Sequence, residues 1–155
     1  MVLRYGLKFA DMYASSESIE GFVIYMHPES GPVTTWRLVQ CGGFGFLRVY
    51  GSTAIKRYNQ AIAPIETLRG KNAPSPHVYV LLLAVDPRAQ GKGWARKLIT
   101  PMLDRLDKNA IACYLETYKA KNEAIYNHLG FETIEKCTVP GTDLTLISLL
   151  RRPLA

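Results

Sequence analysis

The chain has 155 residues, 48% of them hydrophobic and 21% charged, with a formal net charge of +6. That length fits one domain with a sizeable core, and the composition is ordinary for a soluble globular protein. No apolar run approaches the ~20 residues of a membrane span, so no membrane partner is expected.

Met1 to Arg4 lacks the long apolar stretch of a signal peptide, so a cytoplasmic location is the default expectation. Cys41, Cys113 and Cys137 are far apart and form no CxxC pair. Neither a disulfide framework nor a zinc site is suggested, no metal is expected, and the thiols read as buried packing groups. A basic balance suits nucleic acid, an anionic surface or a polyanionic ligand. Four of the nineteen Lys and Arg residues lie between Arg88 and Lys97. That clustering favours a small polyphosphate over a diffuse nucleic-acid face, so no nucleic-acid partner is expected.

In chain order, Ala10 to Ala14 reads as a short strand, Ser15 to Ser18 as a turn and Gly21 to Met26 as a strand. Together they make a hairpin stopped by His27-Pro28. Leu47, Tyr50, Ala54, Tyr58, Ile62 and Ile65 recur at three- and four-residue spacing, predicting a helix with Gly51 and Pro64 as candidate breaks. Lys71 to Pro76 is a loop. His77 to Val85 (HVYVLLLAV) is a continuous apolar run, expected of a strand covered on both faces and ended by Asp86-Pro87. Trp94, Leu98, Ile99, Met102, Leu103 and Leu106 mark one face of a helix, with a kink predicted at Pro101. Ile111 to Glu116 is a second buried strand. Asn122 to Leu129 is a short helix ended by Gly130. Phe131 to Val139 and Leu144 to Leu150 are closing strands. The alternation predicts one domain, 1–155, with a mixed α/β sheet and a central parallel pair.

The corner VDPRAQGKGWARKL, Val85 to Leu98, carries the chemistry. A helix N-terminus exposes unpaired N–H groups and partial positive charge, and anions bind there. Glycines let backbone approach the anion and permit positive φ. Gln90 to Ala95 can therefore cradle a pyrophosphate. The P-loop pattern fails, because Lys92 lies between the glycines and Trp94 follows Gly93. The dinucleotide GxGxxG pattern fails at Arg96. By itself, two glycines before a helix also fit a purely structural turn.

Further residues sharpen the reading. Gln90-Gly91-Lys92-Gly93-Trp94-Ala95 follows a strand ending in AVDP. Downstream, Tyr114 to Phe131 (YLETYKAKNEAIYNHLGF) runs from strand through turn and Asn to a helix with Tyr and then Leu-Gly-Phe. In this combination the chain resembles the GNAT superfamily of N-acetyltransferases from Pro76 to about Arg152. Within it, the pattern YLET…LGF…VPG is most similar to the branch containing puromycin N-acetyltransferase. The resemblance implies an α/β fold with a mixed, mostly antiparallel sheet and a central splayed parallel strand pair flanked by helices. It implies acetyl-CoA as co-substrate, with pyrophosphate on the amides of Gln90, Gly91, Lys92, Gly93, Trp94 and Ala95. Pantetheine would lie along the backbone of Leu83, Ala84 and Val85, and an N–H near Val85 would face the developing oxyanion.

Asn122 and Tyr126 are four apart and share a helix face. The resemblance implies that Asn122 contacts CoA and that Tyr126 protonates the departing thiolate, a step that eases its departure. The alternative is a Tyr that only packs. Glu116 ends the second central strand and is a candidate base for the attacking amine. It equally suits binding a cationic acceptor or pairing with a lysine. His77 reads as a surface or capping residue, His128 as facing away from Tyr126, and Cys113 as core. Holding amine and thioester together supplies much of the rate without a covalent enzyme intermediate.

Members of this branch usually carry another strand and one or two helices before the hairpin, whereas nine residues precede Ala10 here. A shortened or replaced front is therefore expected, with an exposed sheet edge that a homodimer would cover. Residues 31–73 are the other candidate acceptor wall. The sequence reads as an N-acetyltransferase that moves acetyl to a primary amine of a small molecule, or of a peptide, by direct attack in a ternary complex. A non-catalytic CoA- or partner-binding module on the same fold is the alternative, and a nucleic-acid binder rests on charge alone.

Overall fold

The apolar run His77–Val85 is a strand at the centre of the molecule, here β3, and the remaining elements are arranged around it. The structure is a computed structural model and describes residues 1–31 and 33–154. Before β3 come α1 (Val2–Phe9), β1 (Asp11–Ala14), β2 (Gly21–Met26), α2 (Thr35–Gln40) and α3 (Gly43–Asn72). After it come α4 (Trp94–Lys108), β4 (Ala112–Thr117), α5 (Ala120–Asn127), β5 (Glu132–Thr138) and β6 (Thr145–Arg151). The strands form one sheet in the order β1-β2-β3-β4-β6-β5. Only β3 and β4 are parallel; the other neighbours are antiparallel. This is the mixed, mostly antiparallel sheet with a central parallel pair that the sequence predicts.

Strand alternation sends side chains to two cores. On β4, Cys113 and Leu115 join the core under α4 and α5, where Leu98, Ile99, Met102, Leu103 and Leu106 are buried. Ala112 and Tyr114 face the opposite core, with Tyr5 of α1 and Cys41 after α2. Leu68 of α3 packs on Val139 and Leu146 in a smaller cluster on the far strands. At the last turn of α4, Asp107 is held by Arg151, the end of β6, through two 2.6 Å hydrogen bonds.

The register of β2 on β3 shifts: Tyr25 opposes Val80 and Ile24 opposes Leu82, leaving Leu81 as an extra residue. A bulge of this kind bends its strand and swaps the faces beyond it. Val78 and Val80 therefore point to the α4 side before the bulge, and Leu83 and Val85 point there after it.

Several expectations are corrected. The first residues, for which the sequence predicts no element, form a helix, with Tyr5 buried to 2% exposure and Gly6 flat on Ile24. A Cβ at Gly6 would come within 2.8 Å of Ile24 Cδ1. The stripe from Leu47 to Ile65 is helical, as expected, and unevenly covered: Ala54, Tyr58, Ile62 and Ile65 are half-buried, with Ile65 on the cluster of Leu68, Val139 and Leu146. Leu47 and Tyr50 stay 42% and 62% exposed, and α3 buries only Leu68. The backbone breaks at Gly51 (φ 72°) and stays helical through Pro64. Likewise α4 is one helix through Pro101, its buried face holding it to the sheet. The second central strand and the short helix lie one to two residues from their predicted bounds. The edge strand β1 leaves Met12 and Tyr13 exposed. No helix of the described residues is long and apolar enough to cross a membrane.

Candidate active site

β3 and β4 pair at His77–Ala112, Val78–Cys113 and Tyr79–Tyr114, and no further. The bulge at Leu81 follows at once and turns β3 toward β2. From Val80 to Val85, and from Leu115 to Thr117, the two strands diverge. β3 thus presents unpaired backbone to the gap, and such groups seek a partner. Leu83, Ala84 and Val85 line this stretch, paired on their other side with Val23, Phe22 and Gly21.

The glycine corner closes one end of the gap. Asp86 accepts from the Arg88 N–H at 2.7 Å, fixing the short 3₁₀ turn Pro87–Ala89. Gln90 folds back, its Nε2 donating to the Val85 carbonyl at 3.2 Å. Gly93 caps α4 at φ 76°, a left-handed conformation that L side chains rarely adopt. A Cβ at Gly91 or Gly93 would meet no atom within 4 Å, so the space before the first turn of α4 is open. Lys92 and Lys97 are exposed, and Lys97 Nζ lies 4.4 Å from the centre of the Trp94 ring. Open backbone, a helix N-terminus and surrounding cations suit an anion.

Asn122 and Tyr126 approach from α5. Asn122 Nδ2 donates to Thr117 Oγ1 at 3.2 Å, and the Lys119 N–H donates to the same oxygen at 3.3 Å. These bonds tie the start of α5 to the end of β4. Tyr126 is 8% exposed, edge-on to Phe131, and lies in the core on the α4 side. Burial and the neighbouring Cys113 push its phenol up to about 12, so it holds its proton at neutral pH.

Glu116 points to the opposite face of the sheet. It follows Tyr114 by two residues, and Tyr79 stands directly across from Tyr114 with ring centroids 6.4 Å apart. Glu116 Oε1 and the Tyr114 hydroxyl are both buried and have no hydrogen-bond partner among the described residues. Burial pushes the Glu116 carboxyl up to about 7, against the pull of Tyr79, Arg69 and Tyr114. Arg69 reaches over from α3, its guanidinium 4.6 Å from the centre of the Tyr79 ring.

The glycine corner, the open edge of β3 and Asn122 thus lie toward the end of the sheet where the strands part, Glu116 follows Tyr114 on the opposite face, and Tyr126 lies in the core on the α4 side beside Cys113. His77 lies at the paired end of β3, as expected, its Nδ1 donating to the Pro74 carbonyl at 2.7 Å. His128 is exposed and bonded to the Ala124 carbonyl. Cys113 is fully buried, and burial pushes its thiol up to about 12. Among the described residues no group of His, Cys, Asp or Glu is placed to hold a metal ion. Sequence reasoning missed Tyr79, Tyr114, Tyr118 and Arg69. For Tyr114 the signal was present, since it shares the strand face of Glu116.

The sequence matches the acetyltransferase (GNAT) family over residues 22–131, most of the chain and the whole of this gap. The chain belongs to the GNAT acetyltransferase family. A relative from Schizosaccharomyces pombe, an uncharacterized N-acetyltransferase, is 40% identical over 53 residues. That match covers 34% of this chain but only 22% of the relative. Two solved structures share the fold over nearly the whole chain. One is a histone acetyltransferase HPA2 and related acetyltransferase from Corynebacterium glutamicum. It has a TM-score of 0.58 and 18% identity, covering 99% of this chain and 70% of that one. The other is the NatC complex bound to Gag peptide and CoA. It has a TM-score of 0.51 and 16% identity, covering 92% of this chain and 66% of that one. Acetyl transfer is the chemistry for which that family is named.

Proposed function

We propose that this chain is an N-acetyltransferase that moves the acetyl group of acetyl-CoA to a primary amine of a small molecule or peptide. The observation that carries the reading is the end of β3–β4 pairing at Tyr79 and Tyr114, which leaves the edge of β3 open beside the glycine corner. Acetyl-CoA fits the chain: the cradle is open at Gly91 and Gly93, and the edge of β3 is unpaired. A neighbour of the same fold is solved with CoA and a peptide.

Acetyl-CoA, when bound, supplies the acyl group as a thioester. The amides of Gln90 to Ala95, with Lys92 and Lys97 nearby, bind its pyrophosphate. Leu83, Ala84 and Val85 orient its pantetheine along the open strand edge, and Asn122 adds a side-chain contact. A β3 N–H near Val85 stabilises the developing negative oxygen. Glu116 takes the proton of the incoming amine, a role suited to a carboxyl titrating near neutrality. Tyr126, protonated at that pH, gives a proton to the departing sulfur. The pattern YLET…LGF…VPG resembles the puromycin N-acetyltransferase branch, which supports a small-molecule amine as acceptor.

Calorimetry with acetyl-CoA, followed by thiol release against a panel of primary amines, tests the reading. Acetyl-CoA binding with amine-dependent thiol release is the expected result. Binding without release on any amine would make the chain a CoA-binding module instead.

A further inference from the structure

A cavity lies at the paired end of β3, on the face of the sheet that carries His77 and Tyr79. Its volume is about 200 Å³, and its walls include Met26, His27, Val33, Arg69, His77 and Tyr79. None of the described residues lining it is acidic. Arg69 makes no salt bridge or hydrogen bond among the described residues; its guanidinium rests on the Tyr79 ring. A half-buried guanidinium with five donors and no acceptor facing an empty hollow is a site for an oxyanion.

The histidines differ in what they offer. His27 is spent internally: Nε2 faces Asp11 Oδ2 at 2.9 Å and its ring accepts from the Ser30 N–H. His77 is not. Its Nδ1 donates to the Pro74 carbonyl, so its Nε2 gains a proton only when the ring becomes cationic. Other groups around His77 are Arg69 from α3 and the Tyr114 ring from β4, 6.1 Å away edge-on. His77, Tyr79, Tyr114 and Glu116 thus run along one face, from the cavity to the opening between the strands.

We propose that this cavity is a carboxylate subsite, so that the acceptor is a small amine carrying a carboxylate, with its acid group on Arg69 and its amine toward Glu116. The inference rests on the acetyl-transfer reading for the amine end only. The acid end stands on Arg69 and the cavity. A bidentate Arg–carboxylate pair supplies both attraction and orientation. The subsite thereby favours amino acids over simple alkylamines.

Two measurements test it. In the first, the His77 imidazole is titrated by NMR in the full-length chain, with and without sodium acetate as the carboxylate probe. A carboxylate seated beside Arg69 raises the His77 pKa, by on the order of half a unit or more, and Arg69→Gln abolishes that rise. An unmoved His77 in the wild type overturns the subsite. In the second, kcat/KM is compared for an amino acid and its methyl ester. The wild type prefers the free acid by roughly 10–100-fold, as expected for charged hydrogen bonds. Arg69→Gln collapses that ratio and Arg69→Lys restores part of it. Equal use of acid and ester by the wild type overturns the proposal while acetyl transfer stands. An acetate-shifted His77 with no turnover of any amine upholds the subsite and defeats the acetyl-transfer reading instead.

Discussion

The hydroxyl of Tyr118, just past the end of β4, donates to the carbonyl oxygen of Ala61 in α3 at 2.7 Å. This bond fastens the C-terminal half of α3 over the strands that diverge. Ile65 and Leu68 continue the contact on Val139 and Leu146. Tyr118→Phe keeps the ring and deletes the bond, so it should cost about 1 kcal/mol in urea unfolding. Hydrogen exchange should quicken around Ala61 more than in β4. Unchanged exchange there would mean that packing alone holds α3.

The proposed base role of Glu116 predicts a pH dependence. Its carboxyl titrates near 7 in the fold against an ordinary value of 4.5. As a base it must be ionised, so kcat/KM should rise with pH through about 7. Glu116→Gln should remove that limb and lower the rate by roughly 10²–10⁴-fold. The stability effect has the opposite sense. A carboxyl raised by folding stabilises the native state fully below its unfolded value and loses that contribution as pH rises through the folded value. At pH 8 the Gln variant should therefore be more stable than the wild type, by up to about 3 kcal/mol, with the gap closing toward pH 5. A flat pH–rate profile between 6 and 8 would assign the base elsewhere.

Tyr126→Phe separates chemistry from packing. The ring, edge-on to Phe131 in the core, is retained. The hydroxyl is not among the buried polar atoms left without partners, so its loss should alter stability little. Under the acid role kcat should fall by roughly 10²–10⁴-fold with acetyl-CoA affinity nearly unchanged. Steady-state kinetics with calorimetry measures both, and a wild-type kcat would leave Tyr126 as a packing residue and water as the proton source.

Gly93→Val probes the cradle. A Cβ at Gly93 meets no atom within 4 Å, so the fold's main loss is the backbone strain of a β-branched residue at φ 76°. That strain is worth roughly 1–2 kcal/mol. Any larger loss of acetyl-CoA affinity must then arise where the ligand meets the backbone, and at least a tenfold loss is expected. Calorimetry on a variant shown folded by circular dichroism decides it.

Asp107 and Arg151 make the best-buried ion pair, with Arg151 5% exposed. Asp107 also accepts the Leu154 N–H at 2.9 Å. Asp107→Asn leaves a buried guanidinium uncompensated and should cost about 3–5 kcal/mol at pH 7. The Arg151 bonds hold the Asp107 carboxyl below its ordinary value, so the wild type should keep this stability above pH 4 and lose it as pH falls further. Denaturant titrations of both proteins between pH 2 and 7 should converge at the acid end.

The order of elements from β3 to β6 was legible in the residues, because apolar runs, three- and four-residue stripes, and Gly and Pro punctuation are local signals. So was the glycine corner, whose function depends on backbone conformation set by Gly91 and Gly93 themselves. The first seventy-odd residues were harder. α1 is held by burial of Tyr5 and by Gly6 against Ile24, contacts that no local pattern encodes. The stripe in α3 is periodic throughout yet exposed at Leu47 and Tyr50, since periodicity states that a face is apolar and not how much of it is covered. The face opposite Tyr126 was decided by tertiary structure alone. Arg69, Tyr79 and Glu116 are distant in sequence, and only the pairing of β3 with β4 and the docking of α3 bring them together. Glu116 itself was visible as a carboxylate at a strand end. Its titration near neutrality comes from burial, which exists only once the chain has folded around it.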